Sequence, residues 1–386
     1  MLMIINLLKF MVNILFFKMA LCLLVIDRVI DLIIKHQMKK GYRMTITKRT
    51  FIKGMGLALA VSTAVGTAGL VQAADERHSY ILATASTGGT YYPVGVALAT
   101  LTKIKLEPSH KISMSAINSA GSGENIKLLG ENEAQFAILQ GLYGAWAWNG
   151  EGRLKEAGPQ KNLRSVTMLW QNVEQFVMKT DHTKTGTIAD MNALAGKKFS
   201  IGKKNSGTEG SGRTILSNLN IDADGFNLAY MGYGASADAL QNGTIEGMNI
   251  PSGVPTSAIT RAYAALGSDI TVLNFTDEQI KQANGNYKLW TPYHIPANTY
   301  PGQSKDINTM AQPNFLAVRD DVSEEDVYLL TKTVYENLAF LNGIHKATKA
   351  MSLEKSIAGL PVPLHAGAAR YYKEMGIEIP DHLIAK

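Results

Sequence analysis

Three short segments rich in glycine and hydroxyl side chains have the residue types and the placement for binding chemistry. They are Ser86–Tyr91, Ser119–Asn125 and Asn205–Gly210. Each follows an apolar run typical of a strand and precedes a stretch with helical spacing, so each should present unpaired backbone N–H groups at a helix N-terminus. Together with the helix dipole, such groups favour an anion, and none of the three segments contains an arginine.

The hydroxyl side chains of these segments have two interpretations. Thr90, Ser122, Ser206 and Thr208 are placed to give neutral hydrogen bonds to a ligand. Alternatively, the serines and threonines only cap helices and the glycines only permit turns. A single segment of this kind would favour the capping interpretation, whereas three of them spread along the chain favour ligand binding.

Motifs of the main enzyme classes are absent from the sequence. The chain has no P-loop and no Gly-x-Ser-x-Gly nucleophile elbow, and its eight histidines form no His-x-x-x-His pair. Glu124 and Glu209 could act as an acid and base pair, but each is more simply explained as a first-turn carboxylate favoured by the helix dipole. We therefore expect a protein that is not an enzyme and that has no cofactor and no metal site.

The positive charge of the chain is concentrated at its N-terminus. The whole chain has a formal net charge of +6, but residues 1–73 contain ten Lys and Arg residues and only two acidic residues. The remainder is therefore slightly acidic, and nucleic acid is not expected as a partner.

Residues 44–73 have the pattern of a secretory signal peptide. A basic segment around Lys48 and Arg49 precedes an apolar run of small residues, which ends in the cleavage pattern Val71-Gln72-Ala73. The mature protein should therefore begin near Ala74 and reside in the periplasm.

Residues 1–43 precede this leader and have two interpretations. They are apolar but interrupted by charges, and uncharged runs such as Met19–Ile26 are too short to span a bilayer. We therefore favour an over-extended reading frame, with translation starting at Met44, over a membrane anchor. The single cysteine, Cys22, lies in this segment, so the mature chain can form no disulfide framework.

Strand-like and helix-like segments alternate along the mature chain. This alternation predicts a doubly wound α/β arrangement of two lobes, with the three glycine-rich segments at the carboxyl ends of strands. Lobe I is expected over residues 74–183, lobe II over 184–290, and a return to lobe I with C-terminal helices over 291–386. We expect the first crossing in the polar stretch 180–195, and irregular structure over 284–314, which contains four prolines.

Six blocks of the mature chain together form a family signature. They are Gly88-Gly89-Thr90-Tyr91-Tyr92-Pro93, Gly121-Ser122-Gly123-Glu124-Asn125, Ser206-Gly207-Thr208-Glu209, Ala237-Asp238-Ala239-Leu240, Ile295-Pro296-Ala297 with Thr299-Tyr300-Pro301-Gly302, and Pro363-Leu364-His365-Ala366-Gly367-Ala368. In this order they resemble the TAXI family, the solute-binding proteins of TRAP (tripartite ATP-independent periplasmic) transporters. Each block alone is weak, but the combination is highly specific and covers about residues 80–376.

The resemblance implies a two-lobed type II periplasmic-binding-protein fold with a ligand cleft between the lobes. It also implies a small carboxylate or amino-acid ligand, such as glutamate or 2-oxoglutarate, which is delivered to a membrane TRAP permease. The protein is expected to be a monomer. By position, the family's ligand contacts fall on Thr90, Tyr91, Ser122, Asn125, Gln140, Ser206, Gly207, Thr208, Glu209 and Ser252.

The sequence departs from the family pattern near the expected pocket wall. Gly247-Met248-Asn249-Ile250 stands where an Asp-Ala-small-aromatic run is usual, so the ligand of a relative is not carried over to this chain. Two other functions stay open at this stage. One is a periplasmic ligand sensor with the same pocket. The other is a hydrolase or transferase, which would need a nucleophile, a base and an orienting group that we do not find.

Overall fold

The computed structural model describes residues 77–385, and strands alternate with helices along most of that range. The strands are β1 His78–Ala83, β2 Ile112–Ile117, β3 Phe136–Gln140, β4 Leu163–Val173, β5 Phe176–Lys179, β6 Lys198–Ser200, β7 Asn227–Ala229, β8 Gly247–Asn249, β9 Ile270–Val272, β10 Thr291–Ile295 and β11 Ile307–Arg319. The helices are α1 Tyr91–Lys105, α2 Glu107–His110, α3 Ser122–Gly130, α4 Gly141–Asn149, α5 Gly207–Asn218, α6 Tyr233–Gln241, α7 Ser257–Leu266, α8 Asp277–Asn284, α9 Glu324–Glu336, α10 Leu338–Ile344 and α11 Ala366–Glu374.

The first sheet has six strands and forms lobe I. Strand β1 lies between β2 and β3 and runs parallel to both, and β11 continues the sheet antiparallel to β3. Strands β4 and β10 each pair antiparallel with β11. Because parallel strands end at one edge of a sheet, the segments that follow β1, β2 and β3 lie side by side there.

The second sheet repeats this arrangement and forms lobe II. Strand β6 lies between β7 and β8 and runs parallel to both, and β5 is antiparallel to β8 and β9. Each lobe therefore has three parallel strands in the same relative order, followed by an antiparallel strand from another part of the chain. The expected two-lobed type II α/β fold is confirmed.

The chain first crosses between the lobes at Glu174 and Gln175, which connect β4 to β5 and are fully buried. Strand β5 pairs only with strands of the second sheet. The crossing therefore precedes both the stretch 180–195, where we expected it, and the expected lobe boundary between residues 183 and 184. A four-residue strand does not indicate which sheet it joins, because its partners β8 and β9 come much later in the chain.

The expectation of irregular structure over residues 284–314 is wrong. Strand β10 and the first part of β11 lie there and pair antiparallel from Thr291 opposite Ala311 to Ile295 opposite Ile307. Proline is tolerated here because β10 is an edge strand, and because Pro313 lies beside a register shift in β11. The prolines therefore mark an edge and a bulge, and the segment is still part of a sheet.

The helices bury the faces that their sequence periodicity predicts. In α1, for example, Val94, Leu98 and Leu101 are at most 3% exposed. No helix within residues 77–385 is both long enough and apolar enough to cross a bilayer. The leader predicted at 44–73 and the segment 1–43 lie outside the described residues.

Candidate functional site

A cavity of about 30 Å³ lies between the two lobes. Its lining comes mainly from the segments that follow β1, β2 and β3 in lobe I and β6, β7 and β8 in lobe II. The predicted meeting of strand carboxyl ends thus occurs in both lobes, and the two edges face each other. The volume is that of about two water molecules, so a solute of several carbons can enter only when the lobes separate.

The hydroxyls at the helix N-termini differ in what they do. Thr90 and Ser122 make no cap to their own helices. Thr90 Oγ1 donates to the carbonyl of Gly253 in lobe II at 3.1 Å, and Ser122 Oγ accepts from the Gln140 backbone N–H at 3.0 Å. Ser206 is the N-cap of α5 and accepts a backbone N–H three residues on at 3.0 Å. The capping interpretation therefore holds for Ser206 and fails for the other two.

Polar contacts hold the two lobes together around the cavity. The backbone N–H of Glu124 donates to the carbonyl of Asn205 at 3.0 Å, and the Tyr143 hydroxyl donates to the carbonyl of Ser206 at 3.1 Å. On the other side, the Ser257 hydroxyl donates to the carbonyl of Gly88 at 2.9 Å, close to the Thr90 contact. These are neutral hydrogen bonds, and each contributes only about 1 kcal/mol to holding the lobes together.

Glycines of the predicted segments are required where the lobes touch. A Cβ on Gly123 would come within 2.3 Å of the Asn205 carbonyl oxygen, and one on Gly207 within 2.6 Å of Gln140 Oε1. A Cβ on Gly88 would come within 2.8 Å of the backbone nitrogen of Gly234. Real Cβ atoms do not approach so closely, so Gly88 and Gly123 allow the backbone of one lobe to pack against the backbone of the other, and Gly207 leaves room for the Gln140 side chain.

Eight of the ten ligand-contact residues expected from the sequence line this cavity. They are Thr90, Tyr91, Ser122, Gln140, Ser206, Gly207, Thr208 and Ser252. Their contribution from both lobes agrees with a ligand that bridges the lobes. The remaining two, Asn125 and Glu209, are buried next to the cavity but do not line it.

Asn125 holds the strands of lobe I together. Its Nδ2 donates to the carbonyls of Thr84 at 2.8 Å and Ile138 at 2.9 Å, and its Oδ1 accepts from the Ser119 hydroxyl at 2.6 Å. All polar atoms of the amide are thus engaged inside the protein. The structure gives Asn125 a positioning role, at the ends of β1 and β3, in place of the expected ligand contact.

Glu209 makes an ion pair across the lobes. Its Oε1 accepts from the Arg153 guanidinium of lobe I at 3.0 Å, and its Oε2 accepts from the Asn205 backbone N–H at 2.9 Å. Glu124 likewise accepts from the Ala120 backbone N–H at 2.6 Å and lies outside the cavity lining. Each of the two carboxylates thus accepts a hydrogen bond from a backbone N–H beside the cavity, and neither lines the cavity. No group of three His, Cys, Asp or Glu side chains among residues 77–385 is placed to hold a metal ion.

Several residues that line the cavity were missed by the sequence analysis, and three of them have polar side chains. Asn172 comes from the end of β4, and Lys203 and Tyr233 come from lobe II. The sequence contained a signal for Lys203 as a site residue, because it lies two residues before the third glycine-rich segment. In the structure, its Nζ contacts the Ser119 carbonyl of the other lobe at 3.4 Å. Asn172 had no such signal, because it lies near the end of β4 and belongs to none of the glycine-rich segments.

The tyrosines of the site stay protonated. Burial raises the pKa of Tyr91 and of Tyr233 well above the ordinary value of 10.0. The Tyr233 hydroxyl donates to the Pro251 carbonyl at 2.7 Å and lies 2.7 Å from Thr208 Oγ1, so it fixes the pocket wall on the lobe II side. The Tyr91 hydroxyl donates to Asn314 Oδ1. Both rings therefore contribute shape and neutral polarity, and neither carries charge.

A model of the NMT1-like family matches residues 82–376 of the chain. Among solved structures, the periplasmic aliphatic sulphonate binding protein SsuA of Escherichia coli is 15% identical, with a TM-score of 0.40, over 78% of this chain and 84% of that one. MatC (Rpa3494) from Rhodopseudomonas palustris with bound malate is 12% identical, with a TM-score of 0.48, over 78% and 97%. A TRAP periplasmic solute-binding protein from Anaerococcus prevotii with bound glucuronate is 13% identical, with a TM-score of 0.38, over 78% and 86%. At these values their ligands are not carried over to this chain.

Proposed function

We propose that this chain, which belongs to the NMT1-like family, captures a small carboxylate between its two lobes and releases it unchanged. We further propose that it does so in the periplasm, after removal of the leader at residues 44–73, and that it delivers the solute to a TRAP-type membrane permease. The protein would thus be the binding component of a transporter and would carry out no chemistry on the solute.

The observation that carries the proposal is the electrostatic character of the cavity. The N-terminal turns of α1, α3 and α5 all contribute lining residues, and Lys203 adds a positive charge, while no carboxylate of residues 77–385 lines the cavity. Helix N-termini and an ammonium group stabilise a negative charge in a site shielded from water. An anionic group of the ligand would therefore bind between these three helices.

Closure of the lobes provides the mechanism of capture. Each lobe supplies part of the lining, so a ligand makes its full set of contacts only when both lobes surround it. Ligand binding therefore stabilises the closed form over the open form by the difference between the binding free energies of the two forms. The closed surface is then the form that a permease would recognise.

The assignment to TRAP transport rests on the sequence blocks and on where they lie. The blocks that begin at Gly88, Gly121 and Ser206 are far apart in the chain and meet around one cavity. Such convergence is expected if the resemblance to TAXI proteins reflects a shared binding site. The leader follows from the sequence pattern of residues 44–73, the permease partner follows from the sequence resemblance, and both are part of the proposal.

The test is native mass spectrometry of the protein purified from the periplasm of cells that express the full chain, followed by a thermal-shift screen of small carboxylates and amino acids. We expect a co-purifying or stabilising carboxylate, and at one hundred times its Kd a ligand adds about 2.7 kcal/mol to the free energy of unfolding. If no carboxylate stabilises the protein and a compound of the screen is instead converted to a product, the binding function is wrong and an enzyme is indicated.

A further inference from the structure

Two buried amide side chains of the cavity have polar atoms without a partner. Asn172 on β4 is 1% exposed, and neither its Oδ1 nor its Nδ2 makes a hydrogen bond with any of residues 77–385. Gln140 at the end of β3 is 3% exposed, and its Oε1 is also unpartnered. Both side chains line the cavity. Since buried polar atoms are nearly always paired, the natural partner of these atoms is whatever occupies the cavity.

The hydrogen-bond partners that Asn172 lacks are the same for both orientations of its amide. Turning the amide over exchanges the oxygen and the nitrogen. Both positions are unpartnered, so either orientation leaves one acceptor and one donor group unsatisfied. The ligand must therefore offer Asn172 both an acceptor and an N–H or O–H donor.

A carboxylate by itself cannot meet this demand. Its two oxygens only accept hydrogen bonds, which suits the helix N-termini and Lys203 but leaves the Asn172 oxygen unpaired. A keto oxygen, as in a 2-oxo acid, is likewise only an acceptor. A hydroxyl or amino group beside the carboxylate supplies the missing donor, and leaving a buried acceptor unpaired is unfavourable.

We infer that the ligand is a carboxylate with a hydroxyl or amino donor, and that Asn172, with Gln140 of the same cavity, selects that donor against the corresponding 2-oxo acid. This inference rests on the proposed function, because it concerns the ligand of the same cavity. It narrows the ligand class from carboxylates in general to hydroxy acids and amino acids.

Isothermal titration calorimetry on the wild-type protein tests the inference with two matched sets of acids. One set is glutamate, 2-hydroxyglutarate, 2-oxoglutarate and glutarate, and the other is alanine, lactate, pyruvate and propionate. In the set that fits the cavity, we expect the acids with a donor to bind at least about tenfold more tightly than the oxo and unsubstituted acids. The comparison of amino with hydroxy acid then identifies which donor is used.

The variant Asn172→Leu tests whether this residue is the source of the selectivity. Leucine is similar in size and has no polar atoms, so we expect the preference for the donor-bearing acid to fall below about threefold, while the oxo acid binds no worse than before. Asn192→Leu is the control, because Asn192 is exposed and lies outside the cavity lining. If Asn172→Leu does not fold, the wild-type acid series alone decides.

The outcomes separate this inference from the function on which it rests. Equal affinities for the oxo acid and its hydroxy or amino counterpart would overturn the selectivity and leave carboxylate capture intact. Unchanged selectivity in a folded Asn172→Leu variant would remove Asn172 from the recognition. Binding of no carboxylate in either set would overturn both.

Discussion

Among the described residues that line the cavity, Lys203 is the only one with a charged side chain. The other polar groups of the lining are neutral. Lys203 stands in the loop between β6 and α5, with its Nζ 3.4 Å from the Ser119 carbonyl of the opposite lobe. An ammonium group in this position both attracts an anion and helps to close the lobes. The three glycine-rich segments contain no arginine, and the structure adds a lysine from just before the third segment.

Lys203→Met should weaken the binding of the carboxylate found in the screen by about tenfold or more, because an ion pair shielded from water contributes more than an exposed one. The neighbouring Lys204→Met is the matched control, since the Lys204 ammonium lies over the Tyr230 ring outside the cavity. Calorimetry on both variants measures the effect. Equal losses in the two variants would show that the charge acts at long range and not as a contact.

Glu174 is a carboxyl at the first crossing between the lobes, and no part of it is exposed. Complete burial raises its pKa to about 7, although Trp290 Nε1 at 3.0 Å and Gln312 Nε2 at 3.3 Å both donate to its Oε1. Its Oε2 has no hydrogen-bond partner. The protonated form is therefore favoured in the folded protein at pH values where an exposed glutamate is ionised.

This raised pKa predicts a pH-dependent stability. The unfolded chain releases the proton near the ordinary pKa of 4.5 and the folded chain only near 7, so the free energy of unfolding falls as the pH rises through this window. The difference corresponds to about 3 kcal/mol above pH 7, and none of it is lost below pH 4.5. Urea denaturation at pH 4.5 and pH 8 should show that Glu174→Gln removes most of this decline, whereas the exposed Glu336→Gln does not. If the free energy of unfolding declines equally in the wild type and in both variants, Glu174 is not the group responsible for the pH dependence.

At the scale of elements, the close approach of α3 to the loop before α5 controls closure. Gly123 is in the first turn of α3, and Asn205 is the residue before the N-cap of α5. The contact between them leaves no room for a side chain. Alanine is otherwise the better helix former, so a substitution here separates closure from the stability of the helix itself.

Gly123→Ala should therefore leave the fold intact and weaken ligand binding by at least about tenfold, because the added methyl blocks the closed form. Gly343→Ala is the control, since Gly343 is also helical and no atom lies within 4 Å of its Cβ position. Thermal melting and calorimetry measure the two effects. Wild-type affinity in the Gly123→Ala variant would mean that the ligand binds without full closure.

The two hydroxyls that begin helices should respond differently to alanine. Ser206→Ala removes the N-cap of α5 and should lower the free energy of unfolding by about 1 kcal/mol as well as weaken ligand binding. Thr90→Ala removes a bond to Gly253 across the lobes and should weaken ligand binding with a smaller loss of stability. Chemical denaturation and calorimetry of both variants give the comparison. If neither variant changes the affinity for the ligand, the ligand does not bind in this cavity.

At the scale of the whole molecule, polar contacts and small residues surround the cavity, and the apolar core lies behind it. The strands next to the crossing carry large buried side chains such as Trp170 and Phe176, which are at most 1% exposed. The apolar clusters continue from one lobe to the other, whereas the edges that face the cavity meet through polar contacts. This arrangement favours a hinge motion in which the two edges separate.

Small-angle X-ray scattering should therefore show a smaller radius of gyration when the stabilising carboxylate is added. The decrease comes from closure, because no other element needs to change. In the Gly123→Ala variant the ligand should not produce the compact form even at concentrations that saturate the site. A wild-type radius of gyration that is independent of ligand would mean that the free protein is already closed.

Much of this fold was predictable because its signals are local. Hydrophobic periodicity predicted the strand and the helix on each side of every glycine-rich segment. Because parallel strands end at one edge of a sheet, the segments that follow them were expected to lie together. A capping box of Thr276 and Gln279 begins helix α8, which we did not predict, so a local signal for it was present in the sequence. The resemblance to a known family added ten expected ligand contacts, of which eight line the cavity.

The tertiary structure decided everything that depends on residues distant in the chain. Periodicity reports on which side of its own element a residue lies, but it does not report what that side faces. For this reason Asn172 was missed as a cavity residue, and Asn125 proved to be engaged by the ends of β1 and β3. The sheet that β5 joins was decided in the same way, by pairing with strands that come much later. The sequence by itself thus determined the elements and the chemistry of the loops, and the packing of the two lobes determined which polar groups remain for a ligand.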